Sequence, residues 1–187
     1  SLGYRYLGPI DGHDLRQLER VLQEAKEVTD IPLLIHVVTQ KGRGYERAER
    51  KPERFHGIAP FFTEDGRIRN KVEVPSLGKI AGDELTRMAL EDERIVAITA
   101  AMTDGTGLAT FEKTLPNRLF DVGIAEQHAV TLASGMAAGG LLPYFAVYSS
   151  FLQRGYDQLL HDACLQNLPI RLLVDRAGTV GEEGPTH

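Results

Sequence analysis

Glu126 holds the most telling position in this chain. It lies in the run Leu119-Phe120-Asp121-Val122-Gly123-Ile124-Ala125-Glu126-Gln127-His128-Ala129-Val130, which predicts a strand, a tight glycine-containing turn and the start of a helix. Parallel α/β sheets bind ligands beyond the carboxyl ends of their strands. A glutamate there can hydrogen-bond a ligand atom from a semi-buried position and exchange a proton with it. A glutamate at a helix start is also what the helix dipole alone favours, so spacing by itself leaves both readings open.

A carboxylate so placed needs a sheet and a helix to hold it, and the surrounding pattern supplies them. Leu77–Leu90 predicts a helix, Arg94–Ala100 a strand, Thr106–Leu115 a short helix and Arg118–Val122 a strand. Ala125–Ala138 predicts a close-packing helix, Leu142–Val147 a strand, Phe151–Leu165 a helix and Ile170–Asp175 a strand. This alternation predicts an α/β fold with a doubly wound parallel sheet and right-handed crossovers.

Upstream, residues 13–29 predict another helix, with Leu15, Leu18, Val21, Leu22 and Ala25 at helical spacing and Asp11, or His13 and Asp14, placed to cap its start. The apolar run Ile31–Thr39 predicts a strand buried on both faces. Residues 40–75 hold no helical or strand period and crowd Lys41, Arg43, Arg47, Arg50, Lys51 and Arg54 among glycines and prolines. A stretch this long is usually functional or a linker, and it is read as both. The organisation expected is thus 1–40, the end of one α/β domain; 41–75, a functional loop and interdomain linker; and 76–187, a second α/β domain that stops short. The start at Ser1 and the stop at His187 fit a segment of a longer polypeptide.

Composition narrows the function classes. Of 187 residues, 42% are hydrophobic and 25% charged, ordinary for a globular protein. A net charge of -5 gives no basic footprint for nucleic acid. No apolar run approaches the roughly 20 residues of a membrane helix. Cys164 is the single cysteine, which rules out an internal disulfide and suits a reducing cytosol. No His/Cys/Asp spacing suggests zinc, so no metal ligand is expected in this stretch. Lys41 and Arg43 lack the P-loop pattern, and Gly135–Gly140 is helix-to-strand punctuation.

Five stretches, in this order, carry a family resemblance. They are Tyr6-Leu7-Gly8-Pro9-Ile10-Asp11-Gly12-His13-Asp14; Thr39-Gln40-Lys41-Gly42-Arg43-Gly44-Tyr45; Val122–His128; Tyr148-Ser149-Ser150-Phe151-Leu152-Gln153-Arg154-Gly155-Tyr156-Asp157-Gln158; and Asp175-Arg176-Ala177-Gly178 leading to Gly184-Pro185-Thr186-His187. Together they resemble the 1-deoxy-D-xylulose-5-phosphate synthases, thiamine-diphosphate enzymes of the transketolase superfamily. The resemblance covers essentially the whole chain. It implies the thiamine-diphosphate-binding fold, with a pyrimidine domain preceded by the tail of the diphosphate domain.

The resemblance also assigns roles. It places Glu126 against N1′ of the cofactor's aminopyrimidine, as the proton relay that promotes the imino tautomer. It places Tyr45 on the cofactor, where packing on a neighbour is the alternative, and Phe151 as the ring stacked on the aminopyrimidine, where a core-facing helix residue is the alternative. His56 and His187 match active-site histidines, which titrate near neutral pH; a solvated loop histidine is the alternative for each. His13, His36, His128 and His161 read as capping, core or surface residues. Tyr148, Arg154 and Arg176 match substrate-binding residues for a phosphorylated aldehyde, since arginine suits phosphate. Arg176 follows a strand end, whereas Arg154 sits in a predicted helix within reach of Asp157. Glu183 stands where the family has aspartate.

The family's Gly-Asp-Gly…Asn motif for Mg²⁺ and the diphosphate is absent; Gly82-Asp83-Glu84 lies within a predicted helix and lacks the second glycine. The metal ligands are therefore expected outside this segment. The activity implied is decarboxylative condensation of pyruvate with glyceraldehyde 3-phosphate to 1-deoxy-D-xylulose 5-phosphate. That is the first step of the non-mevalonate isoprenoid pathway, and its product also feeds thiamine and pyridoxal phosphate synthesis. A homodimer in the bacterial cytoplasm, or in a plastid for a plant, is implied too. The alternatives are a transketolase, a 2-oxo acid dehydrogenase β subunit, or a non-catalytic binding module of the same fold. Residues 1–60 argue against a separate pyrimidine-domain subunit, and Glu126 against the non-catalytic module.

Overall fold

The computed structural model describes residues 3–52, 54–69 and 74–178. The chain divides into two compact units, Ser1–Lys71 and Val72–His187.

The first unit opens with a strand that periodicity missed. β1 (Arg5–Asp11) pairs in parallel with β2 (Leu33–Val38). Gly8 and Pro9 argue against a strand, since proline cannot donate to a ladder. The pairing absorbs them through a register shift between Leu7 and Ile10. Gly8 is required there: its φ is +146°, and a Cβ would sit 2.7 Å from the His36 carbonyl oxygen. Between the strands lies α1 (Leu15–Lys26), capped by Asp14, whose carboxylate accepts from the Arg16 and Gln17 amides at 3.1 and 3.0 Å. Leu18, Val21 and Ala25 are half-buried, while Leu15 and Leu22 are exposed.

The expected burial of β2 on both faces is not met. Leu34, Val37 and Val38 are exposed, because β2 belongs to a two-stranded sheet and burial of both faces requires a covering layer on each. The stretch read as loop also contains a short helix, α2 (Glu46–Arg50), and an antiparallel bridge between Phe61 and Ile68.

The second unit is the doubly wound fold expected. Its helices and strands are α3 (Leu77–Glu91), β3 (Ile95–Thr99), α4 (Ala109–Thr114), β4 (Leu119–Asp121), α5 (Glu126–Ala138), β5 (Leu142–Tyr148) and β6 (Arg171–Asp175). The sheet order is β4-β3-β5-β6, and every pairing is parallel. Strand residues alternate between faces. Ile95 and Ala97 join Leu85, Ala89, Leu108 and Phe111 of the α3/α4 layer. Ile98 and Ala100 join Ala129, Val130 and Ala133 of α5, with Phe145 and Val147. Burying one such Ile, Leu or Phe contributes roughly 1.5–3 kcal/mol. Gly82 lets α3 approach closely: a Cβ there would lie 2.0 Å from the Gly107 carbonyl oxygen.

One expected helix is broken. The sequence pattern predicts one helix over Phe151–Leu165, but Ser149–Leu152 is an α turn, Gln153–Gly155 a 3-10 turn, Tyr156–Gln158 another α turn and Leu159–Cys164 a π-helical stretch. No helix among the described residues is long and apolar enough to cross a membrane.

Candidate functional site

In the second unit, the chain leaves β3 towards β4 and leaves β5 towards β6, on opposite sides. The carboxyl ends of β3 and β5 therefore flank the switch point where such sheets hold ligands. Tyr148 ends β5 at that edge, Arg176 directly follows β6, and Glu126 starts α5 one turn beyond β4.

The turn before Glu126 is held from below. Asp121 ends β4, and its Oδ1 accepts from the Gly123 and Ala101 amides at 2.9 and 2.8 Å. Gly123 adopts a φ of 68°, in the left-handed region that glycine enters without strain. The chain is thus turned sharply into α5, and Glu126 arrives 2% exposed. A buried carboxylate needs a partner, since an unpaired buried charge is costly. The partner is Arg154, whose Nη1 lies 3.0 and 3.2 Å from the two carboxylate oxygens. The sequence offered Asp157 to Arg154; the fold delivers Glu126 instead, 28 residues away.

Arg154 begins a row of stacked groups. Its guanidinium carbon lies 5.3 Å from the centre of the Phe151 ring. Phe151 stacks on Tyr148 with centroids 5.8 Å apart and planes 18° from parallel. The Arg176 guanidinium carbon sits 4.0 Å from the centre of the Tyr148 ring, within cation–π range. Arg176 is a non-glycine residue at φ 56°, a conformation with a local cost. Two side chains fix it: Ser149 Oγ donates to the Arg176 carbonyl at 2.7 Å, and Asp175 Oδ1 accepts from its amide at 2.8 Å. Phe151 is also partly buried against the α5 core cluster.

The structure therefore brings together Glu126, Arg154, Phe151, Tyr148 and Arg176. Tyr45 and His56 belong to the first unit. The Tyr45 hydroxyl donates to the Thr63 carbonyl at 2.9 Å, and its ring meets Phe55 and Phe61 at 5.3 and 5.9 Å. His56 is exposed on a turn. Glu183 and His187 lie outside the described residues. Gly82, Asp83 and Glu84 lie within α3. There the Asp83 carboxylate is held below its usual range, first by Lys79 and then by the Thr110 hydroxyl. No cluster of metal-ligating side chains occurs among the described residues.

Sequence reasoning missed the Glu126–Arg154 pair and the aromatic row between the two arginines. Arg154, Arg176, Tyr148 and Phe151 all follow within 50 residues of Glu126, but nothing in their spacing specifies which partner each finds.

Known protein families match this chain in sequence. The family model "Transketolase, pyrimidine binding domain" matches residues 73–187, and "1-deoxy-D-xylulose-5-phosphate synthase" matches residues 1–39. The chain is 58% identical over its full length to 1-deoxy-D-xylulose-5-phosphate synthase of Clostridium kluyveri and 55% identical to that of Clostridium perfringens. It covers 30% of the length of each of these curated relatives. It is also similar to a solved structure titled "Split gene transketolase, inactive beta4 tetramer", with a TM-score of 0.45 and 27% identity, covering 49% of this chain and 31% of that one. A parallel sheet in this order, with a buried glutamate at its carboxyl edge and a family match across residues 73–187, identifies the chain as a member of the transketolase family through its pyrimidine-binding domain.

Proposed function

We propose that this chain is part of a 1-deoxy-D-xylulose-5-phosphate synthase. Residues 76–187 supply the pyrimidine-binding side, residues 1–40 the end of the diphosphate-binding domain, and residues 41–75 the loop and linker between them. The substrates are pyruvate and glyceraldehyde 3-phosphate, and the products are CO₂ and 1-deoxy-D-xylulose 5-phosphate. The working enzyme is a cytoplasmic homodimer that uses thiamine diphosphate and Mg²⁺, whose ligands lie outside this segment.

The observation that carries this reading is Glu126, 2% exposed beyond the carboxyl end of β4 with its carboxylate held by Arg154. The residues present suit an aminopyrimidine. A carboxylate has about four lone-pair sites, and the Nη1 contacts at 3.0 and 3.2 Å leave capacity for a ring-nitrogen proton. Phe151 and Tyr148 supply an aromatic wall for a flat ring. When bound, thiamine diphosphate supplies a carbon acid that adds to carbonyl groups once deprotonated.

This chain's residues do the rest. Glu126 holds a proton at the ring nitrogen and so favours the imino form of the aminopyrimidine. Arg176, with Tyr148 beneath it, offers a cation to the phosphate of the acceptor aldehyde. Tyr45 contacts the cofactor, and His56 and His187 steady substrate oxygens. Glu183 serves the acceptor side with a reach one methylene longer than aspartate.

The test is Glu126→Gln in the full-length protein, assayed for CO₂ release from pyruvate with and without glyceraldehyde 3-phosphate. A loss of about 10²–10⁴-fold is expected for a proton-transfer group. Unchanged turnover rejects the assignment. Release that does not respond to the aldehyde rejects the condensation.

A further inference from the structure

We propose that Arg154 is a positioning residue for Glu126 and Phe151, and not a ligand of the acceptor phosphate. The proposal rests on the assignment of Glu126 as the aminopyrimidine's proton partner.

Local structure brings Arg154 to this place. It sits in the 3-10 turn Gln153–Gly155, which interrupts the expected helix. Gly155 is buried, and a Cβ there would meet Val130 Cγ2 at 3.0 Å and the Glu126 carbonyl oxygen at 3.5 Å. The turn therefore lies against the first turn of α5, and the arginine spans the short remaining gap.

Two contacts define the role. Nη1 bridges both Glu126 oxygens at 3.0 and 3.2 Å, which fixes the plane of the carboxylate. The same guanidinium lies over the Phe151 ring at 5.3 Å, and Phe151 stacks on Tyr148. One side chain thus sets the aim of the proton partner and braces the adjoining aromatic wall.

Charge argues in the same direction. The Arg154 cation is offset by the Glu126 carboxylate, so the pair offers no net charge to a phosphate. Arginine that recognises phosphate works as a bidentate cation, and here Nη1 is committed to Glu126. The Arg154 side chain is 47% exposed while that of Glu126 is 2% exposed. The pair is therefore anchored at its buried end and remains open to water at the other.

The experiment uses the full-length protein with Arg154→Met, Arg154→Lys, Glu126→Gln and the double variant Arg154→Met/Glu126→Gln. Three quantities are read: thiamine diphosphate affinity by calorimetry, exchange of the bound cofactor's thiazolium C2 proton by NMR, and KM for glyceraldehyde 3-phosphate. A misaimed catalytic group costs up to about 100-fold. Arg154→Met is expected to slow C2 exchange about 10- to 100-fold and leave the aldehyde KM within about twofold. Arg154→Lys recovers part of the loss. The double variant is no slower than Glu126→Gln alone, and its loss of cofactor affinity is less than the product of the single losses, because the residues act as one unit.

Unchanged C2 exchange together with a raised aldehyde KM in Arg154→Met overturns the proposal and makes Arg154 a substrate ligand. Normal exchange in Glu126→Gln removes the Glu126 assignment and this proposal with it, a failure visible in a different variant. Should Arg154→Met fail to fold, Arg154→Lys decides: slowed exchange at an unchanged melting temperature supports positioning, and normal exchange overturns it.

Discussion

β2 and β3 are both short, apolar, parallel strands, and they end in opposite surroundings. β2 leaves Leu34, Val37 and Val38 exposed, whereas all five residues of β3 are buried. β2 has one neighbour in a two-stranded sheet. β3 has a neighbour on each side and a layer of helices on each face. Apolar composition permits burial, and the layers around a strand decide it. The helices repeat the contrast, since α1 has no buried residue while α5 buries six, including Glu126. A carboxylate buried in the second unit is desolvated, and Glu126 offsets that cost by holding Arg154.

This contrast makes its largest prediction in the cores. Phe145→Ala, at a fully buried position, is expected to destabilise the second unit by about 3–5 kcal/mol. Val38→Ala, at a side chain 49% exposed, is expected to cost under about 1 kcal/mol. Urea denaturation of each variant measures both, and equal losses would break the comparison.

Next comes backbone approach. Gly82→Ala forces a Cβ against the Gly107 carbonyl at 2.0 Å and is expected to cost about 1–3 kcal/mol by overpacking. A melting temperature equal to that of the parent protein would show that α3 moves away freely.

Helix caps sharpen the comparison from the other side, because they act locally. Asp14→Ala in the first unit and Ser76→Ala in the second each remove a side-chain acceptor at a helix start. Each is expected to lose about 1 kcal/mol, despite the difference in burial. Amide hydrogen exchange in α1 and α3 reads both, and a much larger effect in one unit would tie capping to burial.

The smallest effect is a pH dependence at the surface. Asp92 is lowered from 3.8 to about 2, first by its side-chain hydrogen bond to Arg94 and then by the Arg94 amide. A depressed carboxylate contributes stability that is present above its unfolded value and is lost as pH falls through the folded one. The contribution is therefore full above about pH 4 and fades towards pH 2. Asp92→Asn is expected to flatten acid unfolding in that window and nowhere else. An unchanged acid titration curve counts against the Arg94 bond.

Much of the second unit was legible because its elements differ in period. Strands such as Ile95–Thr99 are short apolar runs, and helices such as Leu77–Glu91 recur at helical spacing between clear caps and turns. β1 was hidden by Gly8-Pro9, whose chemistry argues against a strand and is accommodated only by the shift in register against β2. The break at Gln153–Gly155 was hidden because the helical pattern continues through it. The cause is tertiary: Gly155 packs on the first turn of α5. Glu126 was legible as a carboxylate at a turn, and its neighbours were not.

Sequence alone determined the alternation of elements, the glycine turn before α5 and the presence of Glu126 at the carboxyl edge of a parallel sheet, because these depend on local period and turn chemistry. Tertiary structure alone decided which surfaces are buried and that Glu126 meets Arg154. It also decided that Arg154, Phe151, Tyr148 and Arg176 form one row. Local spacing could place each of these residues on its element. Only the packing of the 3-10 turn on α5, and of β5 beside β6, brought residues up to 28 positions apart into contact.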